Sequence, residues 1–146
     1  DHRDLHVRSR RQRQMCIRDR NKTAWIKIIA LSGALSVAMG AFAAHGLDGS
    51  LSPRLMDAFR TAVLYQFLHS LALLGIICLP EQLLHSGRQL WVARSFLAGI
   101  ILFSGSLYAL VFTGISALGI ITPLGGIAFI VGWGSLFFSV KPQIQN

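Results

Sequence analysis

The chain holds two cysteines, four prolines and, beyond its first 22 residues, three acidic side chains. Each shortage excludes something. Cys16 and Cys78 stand in unrelated contexts, a basic stretch and an apolar run, so neither a disulfide framework nor a zinc-binding spacing is available. Asp48, Asp57 and Glu81 form no carboxylate pair, and no P-loop or Gly-x-Ser-x-Gly element occurs to carry catalysis. The reading is of a non-enzyme with no cofactor and no metal. The most informative shortage is of charge: no Asp, Glu, Lys or Arg lies between Lys27 and Asp48, between Arg60 and Glu81, or from Ser95 through Val140.

What fills those gaps is apolar. With 53% hydrophobic residues and a mean hydropathy of +0.54, the chain departs from soluble composition. A hydrocarbon core about 30 Å thick takes about 20 residues of helix at about 1.5 Å each, so the first two gaps fit one span each and the third fits two and a turn. Soluble helices alternate apolar and charged faces, and these segments do not. The fold class is therefore all-α, a four-helix transmembrane bundle in contact with the lipid bilayer.

Asp1–Arg20 is a separate case, with seven arginines and no hydrophobic periodicity. The stretch from Arg8 to Arg20, "RSRRQRQMCIRDR", resembles the conceptual translation of a sequencing adapter fused to a gene fragment. On that reading residues 1–20 are an artefact expected to be disordered, and the membrane domain is 21–146. The high pI of about 10.8 then carries no argument for a nucleic-acid partner.

Helix 1 is expected over about 25–44, with Trp25 at the interface and Gly46 as its stop. Ser52 and Pro53 give a cap-plus-proline start to helix 2, about 53–79, which Pro80 ends. The polar stretch Pro80–Gln89 predicts a loop before helix 3, about 90–112. Thr113–Gly119 makes a turn, and Thr122 with Pro123 repeats the cap-plus-proline signal for helix 4, about 122–140. Ala41-Phe42-Ala43 also fits a signal-peptidase pattern, but the apolar run before it exceeds the usual h-region of about 7–15 residues.

Ser32, Ser36, Gly40 and Ala44 recur every four residues on helix 1, a small-residue stripe for helix association within the chain or between chains. Helix 2 sets Thr61, Tyr65 and His69 at i, i+4 and i+8, with Gln66 and Ser70 beside them, a polar face expected to turn inward. His69 is read as an interhelical hydrogen-bond partner of a serine, tyrosine or carbonyl, with a proton or solute path and a ligand or metal role as alternatives. His45 ends helix 1 at the membrane boundary, roughly 10–15 Å in axial offset from His69, too far for shared coordination at about 2 Å. On helix 3, Ser104 and Tyr108 lie one turn apart, and Tyr108 is placed to bond across to helix 2. Gly125 and Gly126 on helix 4 point to close packing, and Trp133 lies too deep for an interfacial anchor.

The segments "GAFAAHGL" (Gly40–Leu47), "YQFLHSLALL" (Tyr65–Leu74), "FSGSLYAL" (Phe103–Leu110) and "ITPLGGIAFIVGW" (Ile121–Trp133) resemble the YgdD/YwdK-like family of small bacterial inner-membrane proteins. The resemblance implies four helices and brings no activity, since the family is a domain of unknown function. It covers about Thr23 to Val140, and residues 1–20 depart from it.

The functional expectation is a non-enzymatic helix bundle acting by association as a homo-oligomer or with a membrane-protein partner. The alternative is a small transporter or proton-linked channel using the polar face of helix 2. If the spans alternate, Lys22, Lys27, Arg88, Arg94 and Lys141 share one side against Arg54 and Arg60 on the other, which favours both termini in the cytoplasm of a bacterial inner membrane. Reporter fusions after Asn146 and within Pro80–Gln89 should both read cytoplasmic, and one at Asp48–Ser50 the opposite. An external reading after Asn146 refutes this topology.

Overall fold

The computed structural model describes residues 2–140, with side chains from Lys22 onward. Its helices are α1 (His2–His45), α2 (Pro53–Cys78), α3 (Ser86–Gly99), α4 (Gly105–Thr113) and α5 (Thr122–Phe137). A π-helical turn, Ile100–Ser104, joins α3 to α4 in one rod, and a 3₁₀ turn, Ser116–Ile120, leads into α5. No strand occurs among the described residues. Among the described residues, four stretches are long and apolar enough to cross a membrane: Lys22–His45, Pro53–Cys78, Ser86–Thr113 and Ser116–Phe137.

Local chemistry explains most of these limits. No glycine or proline precedes Gly33, so nothing in the sequence stops α1 from running back to His2, well before the expected start at Trp25. The side chains of Asp1–Arg20, and with them the adapter reading, lie outside the described residues. Ser52 caps α2 by accepting from the Leu55 N–H at 3.4 Å, with Pro53 at the first helical position. Gly114 closes α4 in the left-handed conformation, φ +71°, its N–H on the Leu110 carbonyl.

Three boundary expectations are corrected. The third span begins at Ser86, not Leu90, because Gln89 is a buried helical residue whose amide is needed by the neighbouring helix, as described below. Thr122 is not a cap: Ile121 already has helical dihedrals and its carbonyl accepts from the N–H groups of Leu124 and Gly125, so the Thr122 hydroxyl turns to Ser106 instead. The last helix ends at Phe137 rather than near Val140, where the Phe138 N–H closes on the Gly134 carbonyl.

α2 is the centre of the bundle, packed by α1 on one side and by the third span on the other, while α5 packs on the third span. Two apolar clusters hold the ends. One gathers Ile29, Leu73, Ile76, Val92, Phe96 and Phe129; the other gathers Ala43, Met56, Phe59 and Val111. The first joins the start of span one, the end of span two and the start of span three, so successive spans run antiparallel. Large apolar side chains also cover the outside, as with Leu31 and Val37 at 63% exposure and Ile130 at 72%. Such a surface is unfavourable in water and matched to lipid.

The third span and α5 approach by filling glycine gaps with phenylalanine. Phe129 lies against Gly99, Phe96 lies against Gly132, and a Cβ on Gly125 would run into the backbone of Phe103. Gly126 meets nothing within 4 Å. Gly125→Ala should therefore cost about 1–3 kcal/mol through overpacking, read as a lower thermal midpoint in detergent, while Gly126→Ala leaves it unchanged. Equal midpoints for the two variants would contradict this packing.

Candidate functional site

Between the two apolar clusters lies a polar layer built around α2. Helical geometry turns each residue by about 100°, so Gln66 and Ser70, four apart, share a face, and that face meets Ser32 of α1. The bonds form a directed chain. Tyr108 of α4 donates its phenolic hydrogen to Gln66 Oε1 at 2.8 Å. Gln66 Nε2 donates to the Ser32 carbonyl at 3.0 Å and, more weakly, to the Ser32 hydroxyl at 3.5 Å. Ser70 gives its single hydrogen to the Gln66 carbonyl at 2.7 Å, so the 2.8 Å contact between the Ser32 and Ser70 hydroxyls must be donated by Ser32. Gln66 thus ties α1, α2 and the third span in one plane. It is 6% exposed and Ser70 is 2%.

His69 turns to a different neighbour. A carbonyl only accepts, so Nδ1 carries the hydrogen in its 2.9 Å contact with the Tyr65 carbonyl, and the bare Nε2 then accepts from the indole N–H of Trp133 at 3.4 Å. One neutral tautomer satisfies both contacts, whereas a hydrogen on Nε2 would face another N–H. Phe129 stacks on the imidazole with centroids 3.5 Å apart, and Phe96 meets it edge-on. Trp133, too deep for an interfacial anchor, has its partner here.

The single inward face expected on α2 is corrected by this division. Gln66 and Ser70 look to α1 and α4, His69 looks to α5, and Tyr65 is 38% exposed, its ring stacked on Phe103 at 4.5 Å. The helix cannot turn all five positions inward because they span more of its circumference than one contact covers. His45 is exposed at the end of α1 and is not brought to His69. Of the small-residue stripe, Ser36 is buried with its hydroxyl on the Gly33 carbonyl, Gly40 lies against Val63, and Ala44 is exposed. Among the described residues no three His, Cys, Asp or Glu side chains lie together in a way that could hold a metal ion.

Sequence reasoning missed two polar residues, Gln89 and Ser106. Gln89 is 7% exposed, and its Nε2 reaches the carbonyls of Ile76, Ile77 and Leu79 at 2.6, 3.3 and 3.0 Å, capping the C-terminus of α2 from the next helix. The signal was available: Pro80 stops α2 and leaves carbonyls in need of a donor. Ser106 bonds Thr122 at 2.8 Å and holds the start of α5 to α4. Ser104, singled out beside Tyr108, is 1% exposed, and its hydroxyl has no hydrogen-bond partner among the described residues.

Comparison with known proteins finds relatives that are named membrane proteins. A family model described as "Protein of unknown function (DUF423)" matches residues 39–126. The chain is 44% identical over 104 residues to the UPF0382 membrane protein YwdK of Bacillus subtilis, covering 71% of this chain and 85% of that one. It is 41% identical over 121 residues to a UPF0382 membrane protein of Haemophilus influenzae, covering 80% and 93% respectively. The chain belongs to the DUF423 family. No solved structure matches it. In this DUF423 chain the matched region holds Gln66, His69, Ser104 and Tyr108, and leaves Ser32 and Trp133 outside it.

Hydrogen bonds inside membrane proteins average about 0.6 kcal/mol and reach about 1.7. A double-mutant cycle of Tyr108→Phe and Gln66→Leu, followed by denaturant unfolding in micelles, should give a coupling in that range. Additive penalties would mean that the two side chains do not bond.

Proposed function

We propose that this DUF423 protein is a non-enzymatic bundle of the bacterial inner membrane, both termini cytoplasmic, that acts by associating with a second copy of itself or with another membrane protein. The observation that carries this reading is a groove of about 360 Å³ between α1 and α2, lined by Val37, Gly40, Ala44, Val63, Leu64 and Phe67. It is the outward continuation of the small-residue stripe. Lipid tails are as apolar as leucine, so helices in a bilayer gain by close contact rather than by leaving the solvent, and small residues permit that contact. A ridge of side chains from a neighbouring helix fits a groove floored by glycine and alanine. The polar layer supports the same reading, since its hydrogens are directed at neighbouring side chains and carbonyls and serve to fix the helices.

The test is dimerisation in liposomes, followed by energy transfer as protein is diluted in lipid. A Cβ on Gly40 would sit 3.5 Å from Val63 Cγ1, an ordinary contact, so Gly40→Ala should fold and associate. Gly40→Leu fills the groove and should weaken association about tenfold, equivalent to about 1.4 kcal/mol. A wild type that stays monomeric at every dilution, and crosslinks to no membrane protein in cells, would overturn the proposal. A pH-dependent flux in those liposomes would favour transport along the α2 polar residues instead.

A further inference from the structure

A separate groove, of about 440 Å³, opens between the start of α2, the end of the third span and the start of α5. It shares no lining residue with the groove between α1 and α2. Leu55 and Ala58 form one wall, and Phe103, Leu107 and Leu110 form the other. Arg54 is the one charged side chain among the described residues that line it.

We propose that this groove holds an anionic phospholipid, its phosphate on the Arg54 guanidinium and an acyl chain along the apolar walls. Three observations meet here. The first is the order of the lining along the membrane normal. Arg54 is the second residue of α2, and the apolar α2 residues of the groove, Leu55 and Ala58, follow it into the span. The charge therefore sits at the membrane boundary with hydrocarbon-facing walls beyond it, as a phospholipid's headgroup precedes its chains.

The second is length. Phe103, Leu107 and Leu110, spaced four and three apart, make one stripe along the third span. Phe103 stands ten residues from Thr113 at the end of that span, about 15 Å along the helix. That is half of a hydrocarbon core of about 30 Å, the depth of a single leaflet.

The third is the state of the charge. Arg54 is exposed, and neither Asp57, one turn on, nor any other described side chain pairs with it. A guanidinium presents parallel N–H donors in the geometry that phosphate oxygens accept, and its aliphatic stem lies along apolar surface while the head stays at headgroup level. Among the described lining residues no carboxylate is present to hold the cation of a choline or ethanolamine headgroup. The lipid that matches this lining carries net negative charge.

The experiment uses the full chain in dodecylmaltoside micelles, titrated with phosphatidylglycerol, phosphatidylcholine or inorganic phosphate. Binding is read as a saturable rise in the thermal midpoint. Its place is read by mass spectrometry of peptides labelled by phosphatidylglycerol that carries a diazirine at mid-chain. Phosphatidylglycerol should saturate and label residues 103–110, phosphatidylcholine should bind about tenfold more weakly, and phosphate alone should not bind. Arg54→Gln should weaken phosphatidylglycerol about tenfold. Arg60→Gln removes the same charge from the same end of α2 but outside this groove, and should leave the binding unchanged. Leu107 belongs to neither apolar cluster, so Leu107→Trp should fold as the wild type does and lose the labelling. Equal binding of the two lipids, saturation by phosphate alone, equal losses in the two arginine variants, or labelling confined to other segments would each overturn the proposal.

Discussion

The carboxamide of Gln66 bonds to a helix on either side of α2, to α1 through Ser32 and to α4 through Tyr108. In a bilayer no water is available to satisfy an amide, so a glutamine at mid-span needs partners from neighbouring helices, and finding them fixes where those helices stand. Gln66 accepts from Tyr108 and donates to Ser32, and these two bonds set the rotation of α2 against both α1 and the third span. Ser70, one turn on, closes the circuit through its hydroxyl. Each bond is weak by itself. Their geometry is what matters, because sliding or turning any of the three helices orphans an amide or hydroxyl in hydrocarbon.

Around that plane the rest of the packing follows. The apolar cluster at each end is compatible with many helix rotations, and the glycine gaps are not. Phe129 against Gly99 and Phe96 against Gly132 lock α5 to the third span, and Phe129 also stacks on His69, which carries the register from α5 back to α2. Gln89 completes the frame by capping α2 from α3, so the turn between them is held by its own side chain rather than by water. Two grooves run along α1, one toward α2 with Gly40 and Ala44 in its lining, the other toward the third span with Leu97 and Ile101 in its lining.

Much of this was legible before the structure. The charge gaps locate four spans, Ser52 and Pro53 mark the start of α2, and the spacing of Ser104 and Tyr108 places Tyr108 against α2. These are local signals, repeated every turn or carried by one residue. What was not legible depends on pairings across the chain. Trp133 and His69 lie 64 residues apart, and no periodicity joins them. The division of the α2 polar face between α1 and α5 depends on which helix stands where, a fact of the bundle rather than of the helix. Gln89 was read as loop because polarity alone cannot separate a solvated glutamine from one that caps a neighbouring helix. Ser104 had the right neighbours in sequence, but its unpartnered hydroxyl follows from the π-helical turn, which has no sequence signature.

A dry polar layer centred on Gln66 holds the helices at mid-span, and hydrogen exchange at side-chain amides in bilayers probes it most directly. With the protein reconstituted in lipid, labelled at glutamine nitrogen and transferred to D₂O, the carboxamide hydrogens of Gln66 should persist after those of the exposed Gln82 have exchanged. Protection at Gln66 that falls together with Tyr108→Phe would tie the dryness to the bond itself. Exchange at Gln66 as fast as at Gln82 would mean that water reaches the centre of the bundle, and the structural reading of its polar residues would be wrong.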